Sequence, residues 1–268
     1  MALDPRLLAA AVDGAIAAGR IHRTFFRQHP PIGKKGPIDL VTEADLAAER
    51  EFRALIAARF PSHVVLGEEG GDGGAAAEHR WIIDPLDGTT NFAHGLALFC
   101  VSIALEIAGR VEVAAVYDPM ADELYTAERG EGARLNGQRI HVTGTDQLID
   151  GLLCTGFPYS LRDNLPGHVA AFAAFLGQAR AVRRLGSAAL DLCYVAAGRL
   201  DGFWEDRLHP WDIAAGALVV EEAGGRVTDF AGAPVRLDRG QILATNGALH
   251  ETMREVIVDA RREADSGQ

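Results

Sequence analysis

The chain has 268 residues, 48% apolar and 24% charged, with a mean hydropathy of +0.04. That balance supports one large domain or two small ones and excludes a disordered chain or a membrane protein. With 37 acidic against 26 basic side chains the net charge is −11, so nucleic acid is repelled unless a basic patch exists, and Arg183–Arg184 and Arg261–Arg262 are the only candidates.

Asp4, Arg6 and Asp13 break up the apolar core that a signal peptide would need. The same opening segment predicts a helix: Asp4 caps it, Pro5 suits its first turn, and Leu8, Val12, Ala15, Ile16 and Gly19 recur at helical spacing. HPPIGKKGPID follows as an exposed loop carrying Lys34 and Lys35, the only lysines of the chain. A second helix is expected from Glu43 to about Arg59, capped by Thr42 and Asp45 and stopped by Pro61. Next come strands at VVLGEE, RWIID, LFCVSIALEI, RVEVAAVYD and ELYTAE, with a hairpin turn at Asn136–Gly137 before RIHV. Ser102 and Glu106 interrupt the longest apolar run, so no segment spans a bilayer.

Beyond about residue 145 the pattern alternates. LLCTG, ARAVRRL, DGFWE, RVTDF and ILATN read as strands; HVAAFAAFLGQ, SAALDLCYVAAG, WDIAAGALVVEEAG and a last amphipathic run from about Ala248 read as helices. An α+β half (1–145) and an α/β half (146–268) are expected to fold as one compact unit, without a linker. Cys100, Cys154 and Cys193 are too few and too scattered for a disulfide framework, which points to a reducing compartment, the cytoplasm.

Several carboxylates sit at the ends of apolar strands: Glu68 and Glu69 after VVLG, Asp84 after RWII, Asp87 three residues on, and Asp212 behind Trp211. A strand end is where an α/β protein places its crevice, and unpaired carboxylates are costly there. A hard divalent cation such as Mg²⁺, which takes oxygen ligands, lets them converge. In Asp84-Pro85-Leu86-Asp87-Gly88-Thr89, Pro85 restricts the backbone between the two aspartates and Gly88 allows a sharp turn into a short helix whose N–H groups face an anion. An ordinary Asx turn is the plainer reading of those residues alone.

DPLDGTTNFAHG, GEEG at 67–70 and WDIAAGALVVEEAGG at 211–225 resemble the signature segments of the inositol monophosphatase family, as do DLVTEAD at 39–45 and GSAALDLCYVAAGRLDGFWE at 186–205. The resemblance covers nearly the whole chain. It implies an αβαβα layered sandwich shared with fructose-1,6-bisphosphatase, usually dimeric, and a Mg²⁺-dependent, lithium-sensitive phosphomonoesterase using two or three ions.

By the same resemblance Glu68, Asp84 and the Leu86 carbonyl match a first metal site, and Asp84, Asp87 and Asp212 a second. Asp45 and Thr89 match the pair that activates the attacking water, and Lys34 a loop lysine that closes over the site. Asp87, Gly88 and Thr89 match phosphate-side contacts; Gly186, Ser187, Ala188, Glu205 and Asp212 match contacts to the alcohol. Each has a plainer alternative: Asp45, Ser187 and Asp212 as helix caps, Glu205 as a strand-end charge, Lys34 and Lys35 as a solvated loop pair.

The expected reaction is hydrolysis of myo-inositol monophosphate or a related sugar or polyol phosphate. Histidinol phosphate on the same fold is the alternative substrate, and a non-catalytic metal-dependent binding or regulatory protein the alternative of another class. Other phosphatase and kinase chemistries lack their motifs: no D-x-D occurs, no P-loop occurs, and the one C-x₅-R, Cys193 to Arg199, lies in a predicted helix. The expected partner is a small phosphorylated substrate, with no nucleic acid and no membrane, in a homodimer.

Overall fold

The computed structural model describes residues 3–26, 28, 32–34, 40–72, 77–158, 160–161 and 165–266. Lys35 lies outside them, and so does the side chain of Lys34. Helix α1 (Pro5–Phe26) begins where expected, with Asp4 Oδ1 accepting the Arg6 N–H at 3.0 Å. Its inward face matches the predicted one at Ala15 and Gly19 and differs elsewhere. Leu7, Ala10, Ala11, Gly14, Ala18 and His22 are buried with them, whereas Leu8, Val12 and Ile16 lie half-buried at its flanks. Small side chains let the helix lie close on the sheet beneath it, so size decides over hydropathy.

The HPPIGKKGPID stretch is not wholly loop. Strand β1 (Ile32–Lys34) pairs antiparallel with β2 (Leu40–Thr42), which feeds α2 (Glu43–Arg59). Strands β3 (Val64–Gly67), β4 (Gly71–Asp72) and β5 (His79–Asp87) follow, then the short helix α3 (Thr89–Ala93). The hairpin series β6 (Cys100–Ile107), β7 (Arg110–Asp118), β8 (Glu123–Glu128), β9 (Gly132–Leu135) and β10 (Gln138–Arg139) completes an eight-stranded sheet of order β10-β9-β8-β7-β6-β5-β3-β4. Only its β3–β5 pair is parallel. Asn136 and Gly137 both take positive φ at the β9–β10 turn, as a two-residue hairpin requires, but pairing ends at Arg139 rather than continuing through RIHV.

The later segment builds a five-stranded sheet of order β12-β11-β13-β15-β14 from β11 (Leu152–Thr155), β12 (Ala181–Arg183), β13 (Gly202–Glu205), β14 (Arg226–Thr228) and β15 (Ile242–Thr245). Its helices are α4 (Leu165–Leu176), α5 (Ala188–Ala196), α6 (Pro210–Glu222) and α7 (His250–Ser266). Three apolar clusters define the layers. Side chains of α1 and α2 pack on one face of the large sheet, Phe52 of α2 meeting Trp81 and Ile103 of the sheet in one cluster. Helices α5 and α6 are sandwiched between the two sheets, with Ile82, Val116, Phe203 and Ile242 contributed from either side. Helices α4 and α7 cover the far face of the small sheet, around Phe175, Trp204 and Met253. The result is the expected αβαβα layering. Burial on both faces explains why α6 reads as apolar nearly all round.

His22 is fully buried on α1, edge-on to Phe92 and Phe99. Neither ring nitrogen has a partner at hydrogen-bonding geometry, and burial pushes the imidazole pKa down to about 3, only slightly offset by the nearby Pro85 carbonyl. The unfolded chain takes up that proton at the ordinary pKa near 6.5, the folded chain not until about 3. This histidine therefore favours the fold above pH 6.5 and costs stability as pH falls through that window, by at most about 1.4 kcal/mol per unit. Denaturant titrations of wild type and His22→Leu between pH 7 and pH 4 should show a shallower loss in the variant. Parallel curves would contradict the assignment.

Candidate active site

The sheet register breaks at the segment that the sequence singled out. Asp84 pairs with Ser102 and Asp87 with Cys100, so three steps on β5 face two on β6. The extra residue makes a bulge, which turns side chains that would otherwise alternate across the sheet, and Pro85 sits inside it, where no ladder N–H is required. Gly88 then takes φ +100°, and a Cβ there would meet the Leu98 carbonyl at 2.9 Å, so only glycine fits before α3 starts. Asp84 Oδ1 accepts the Leu86 N–H at 2.9 Å.

Asp87 has a second anchorage. Its Oδ2 accepts the Ser187 hydroxyl and the Ala189 N–H, each at 2.7 Å. Asp87, not Ser187, therefore caps α5: Ser187 stands at the cap position but its side chain makes no cap hydrogen bond. The two halves of the site are tied by a carboxylate at a helix N-terminus, where the dipole favours negative charge.

Asp45 fills both roles open to it. Its Oδ2 accepts the Thr42 N–H at 2.8 Å and the Thr42 hydroxyl, closing the capping box of α2. Its Oδ1 lies 3.2 Å from the Thr89 hydroxyl, which is also 2.9 Å from the Leu86 carbonyl. Burial raises the Asp45 carboxyl to about 6; the hydrogen bonds from Thr42 oppose the rise and the charge of Glu68 adds to it.

Glu68 projects from a turn that α2 holds in place. Glu49 on α2 accepts the N–H groups of Glu69 and Gly70 at 2.8 Å each and pairs with Arg53 at 2.7 Å. Arg53 in turn donates to the carbonyls of Val65 and Gly71 at 3.0 and 2.9 Å. Lys34 lies in β1 by its backbone, opposite Leu40; its predicted side-chain role falls outside the described residues.

Asp212, in the first turn of α6, accepts the His209 N–H at 2.7 Å. Asp84 and Asp87 are buried and Asp212 is half-buried, and desolvation is the largest cause of the upward shift in each carboxyl. For Asp84 the charges of Glu68, Asp87 and Asp212 follow in that order. Asp87 is raised to about 6, against the opposing bonds from Ser187 and Ala189. The four predicted ligand carboxylates thus share one electrostatic neighbourhood, and none of the three aspartates has an ion-pair partner among the described residues. As they stand, no three His, Cys, Asp or Glu side chains among those residues form an ion-holding set; oxygens of the three aspartates are engaged by Leu86, His209, Ser187 and Ala189. Mutually repelling carboxylates plus a carbonyl are the donor set that a hard cation takes.

A cleft of about 470 Å³ opens beside this cluster, reaching from Asp87, Gly88 and Asp212 to Gly186, Ala188 and Glu205. Glu205 is buried, and burial drives its pKa well above the ordinary range, partly offset by Arg184. Every predicted substrate-side residue is brought here except Thr89, which lies one residue from the lining Gly88 and Thr90. The sequence reading missed Asp191, Arg184 and Arg207 in the lining. Asp191 had a signal: an acid inside the apolar helix SAALDLCYV, buried, with Oδ1 lacking a partner. Glu49 had none, since an acid on an exposed-looking helix is ordinary.

Removing Glu49 would leave two part-buried N–H groups and Arg53 without their acceptor. Glu49→Ala should cost about 1–3 kcal/mol, and Glu49→Gln, which keeps one acceptor oxygen, should cost less. Chemical denaturation measures both. Equal, small losses would show that α2 does not hold the Glu68 turn.

The inositol monophosphatase family profile matches residues 5–265. The chain is 45% identical over 254 residues to an inositol-1-monophosphatase of Rhizobium meliloti, covering 94% of this chain and 96% of the relative. It is 50% identical over 220 residues to the Nus factor SuhB of Pseudomonas aeruginosa, covering 80% and 81%. Among solved structures, an inositol monophosphatase from Anabaena superposes with a TM-score of 0.87 at 41% identity, covering 95% of this chain and 96% of that one. Thermotoga maritima IMPase TM1415 gives 0.89 at 35% identity, covering 97% and 99%. With a family profile spanning the chain and relatives this similar along their whole length, the protein belongs to the inositol monophosphatase family and is a phosphatase.

Proposed function

We propose that the chain is a Mg²⁺-dependent phosphomonoesterase that hydrolyses polyol phosphates, with myo-inositol monophosphate the first candidate. The observation that carries the reading is the convergence of Asp84, Asp87, Asp212 and Glu68 beside the Asp45–Thr89 pair at the end of an open cleft. Glu68, Asp84, the Leu86 carbonyl, Asp87 and Asp212 would hold two or three Mg²⁺ ions, which supply neutralising charge and acidify water.

The chain's own residues then act in sequence. Thr89, 3.2 Å from Asp45, takes a proton from the attacking water as its own passes to Asp45 Oδ1, and the water oxygen attacks phosphorus. The carboxyl of Asp45, raised to about 6 by burial, has a proton affinity matched to that task near neutral pH. Backbone N–H groups at Gly88 and Thr89, at the start of α3, have no intrahelical partners and face the phosphate oxygens. The ester oxygen leaves with the alcohol and is protonated from solvent. Glu205 and the Gly186–Ala188 turn, both on the cleft wall, orient the alcohol.

The resemblance further supports a lithium-sensitive homodimer. Three free, buried cysteines and helices none of which, among the described residues, is long and apolar enough to cross a membrane favour the cytoplasm. The relatives named Nus factor favour a second role of that kind; with a net charge of −11, such a role would run through protein contacts rather than nucleic-acid phosphates.

Asp87→Asn and Asp212→Asn should keep the fold, because each amide preserves shape and relieves repulsion, yet lose about 10²-fold or more in turnover at millimolar Mg²⁺. Circular dichroism and phosphate release from inositol 1-phosphate, histidinol phosphate and a hexose bisphosphate measure both. Full activity in either variant overturns the ligand assignment. No release from any ester by wild type with Mg²⁺ favours a binding module instead.

A further inference from the structure

The cleft has charged groups on its far wall, away from the reacting phosphate, and they can be taken one at a time. Arg184 forms no direct ion pair among the described residues, but its charge reaches two buried carboxylates, Glu205 and Asp191, and lowers both. Asp206 is taken by Arg261 at 2.6 Å and His168 at 3.3 Å, on the other side of the strand end from the cleft. Asp212 belongs to the carboxylate cluster. That leaves Arg207. It lines the cleft, is exposed, and among the described residues takes part in none of the ion pairs of this region.

Its backbone shows that the placement is enforced. Arg207 has φ +59°, a left-handed conformation that is strained for a non-glycine residue and persists only where the surroundings dictate it. The dictating contact is Gly240. The Leu208 N–H donates to the Gly240 carbonyl at 3.0 Å, and a Cβ on Gly240 would collide with backbone atoms of Arg207 and Leu208. The turn is thereby pressed against the β14–β15 connection. The side chain is fixed at its far end as well: Nη1 donates to the Ser160 hydroxyl at 2.7 Å. That contact uses one of five guanidinium N–H donors and no charge.

A guanidinium without a counter-ion among the described residues, held on both sides at the rim of a cleft in a protein of net charge −11, is suited to an anion arriving with the ligand. We propose that Arg207 forms a second anion subsite, so that the preferred substrate of this cleft is a phosphorylated polyol carrying a further anionic group, phosphate or carboxylate, on the part remote from the scissile ester. The inference rests on the phosphomonoesterase reading and narrows its substrate class. The cleft of about 470 Å³ is of the size that encloses a small ligand whole, so one molecule can meet Thr90 and Arg207 together.

The test compares three compounds, a polyol monophosphate, a polyol bisphosphate and a phosphorylated sugar acid, with wild type, Arg207→Gln and Arg207→Lys in Mg²⁺. Both kcat/KM from phosphate release and Kd from thermal-shift titration are read. For wild type, at least one doubly anionic compound should be favoured over the monophosphate. In Arg207→Gln that preference should fall about 10-fold or more, through KM and Kd rather than kcat, as for loss of a charged hydrogen-bonded partner, and Arg207→Lys should restore part of it. The bisphosphate and sugar-acid arms separate phosphate from carboxylate. Equal losses on all three compounds, or a wild type without preference, overturn the subsite while leaving the phosphatase intact. Absence of phosphate release overturns the catalytic reading, and Kd then still decides the subsite.

Discussion

Like charges forced together in a dry place are the constraint on which this structure depends. Asp84 and Asp87 are buried and Asp212 is half-buried, with Glu68 close enough for its charge to be felt by each. Left to themselves such groups would separate or take up protons. They stay because each is held by backbone: Asp84 by the Leu86 N–H, Asp87 by the α5 N-terminus, Asp212 by the His209 N–H. The fold thus stores an unfavourable arrangement that a bound cation would relieve, as in a site organised ahead of its ligand.

The supports come from every layer. Helix α2 contributes twice, at its first turn through Asp45 and Thr42 and two turns later through Glu49 and Arg53, so one helix fixes both the Thr89 partner and the Glu68 turn. Helices α5 and α6 are held between two sheets, and their N-termini are where the dipole favours acids. A bulge in β5 turns the remaining pair. Rigid elements rather than free loops carry the chemistry, the arrangement that keeps reacting groups within a fraction of an ångström.

The wall of the cleft is ordered by charge rather than by shape. Carboxylates outnumber cations there, and its two guanidinium groups differ in place: the charge of Arg184 reaches Glu205 and Asp191, whereas Arg207 is exposed at the rim. On the proposed reading, that distribution separates the part of the site that meets the scissile phosphate from the part that meets the rest of the substrate.

Amino-acid order alone determined the local features: the extents of α2, β7 and β8, the turn at Asn136–Gly137, and the motif Asp84 to Thr89 with its short helix. These follow from periodicity, capping and turn chemistry, which act over a few residues. The inward face of α1 escaped that logic, because close approach to a sheet favours alanine over leucine, and only packing shows it. Likewise β1 was hidden within a Pro- and Gly-rich stretch, since a three-residue strand exists only by virtue of its partner. Asp87 as the cap of a helix 101 residues away, Glu49 as the clamp of a distant turn, and Arg207 as an exposed cleft guanidinium without an ion pair among the described residues were decided by tertiary structure. Their roles are relations between segments far apart in the chain, and such relations come into being when loop closure brings the partners together.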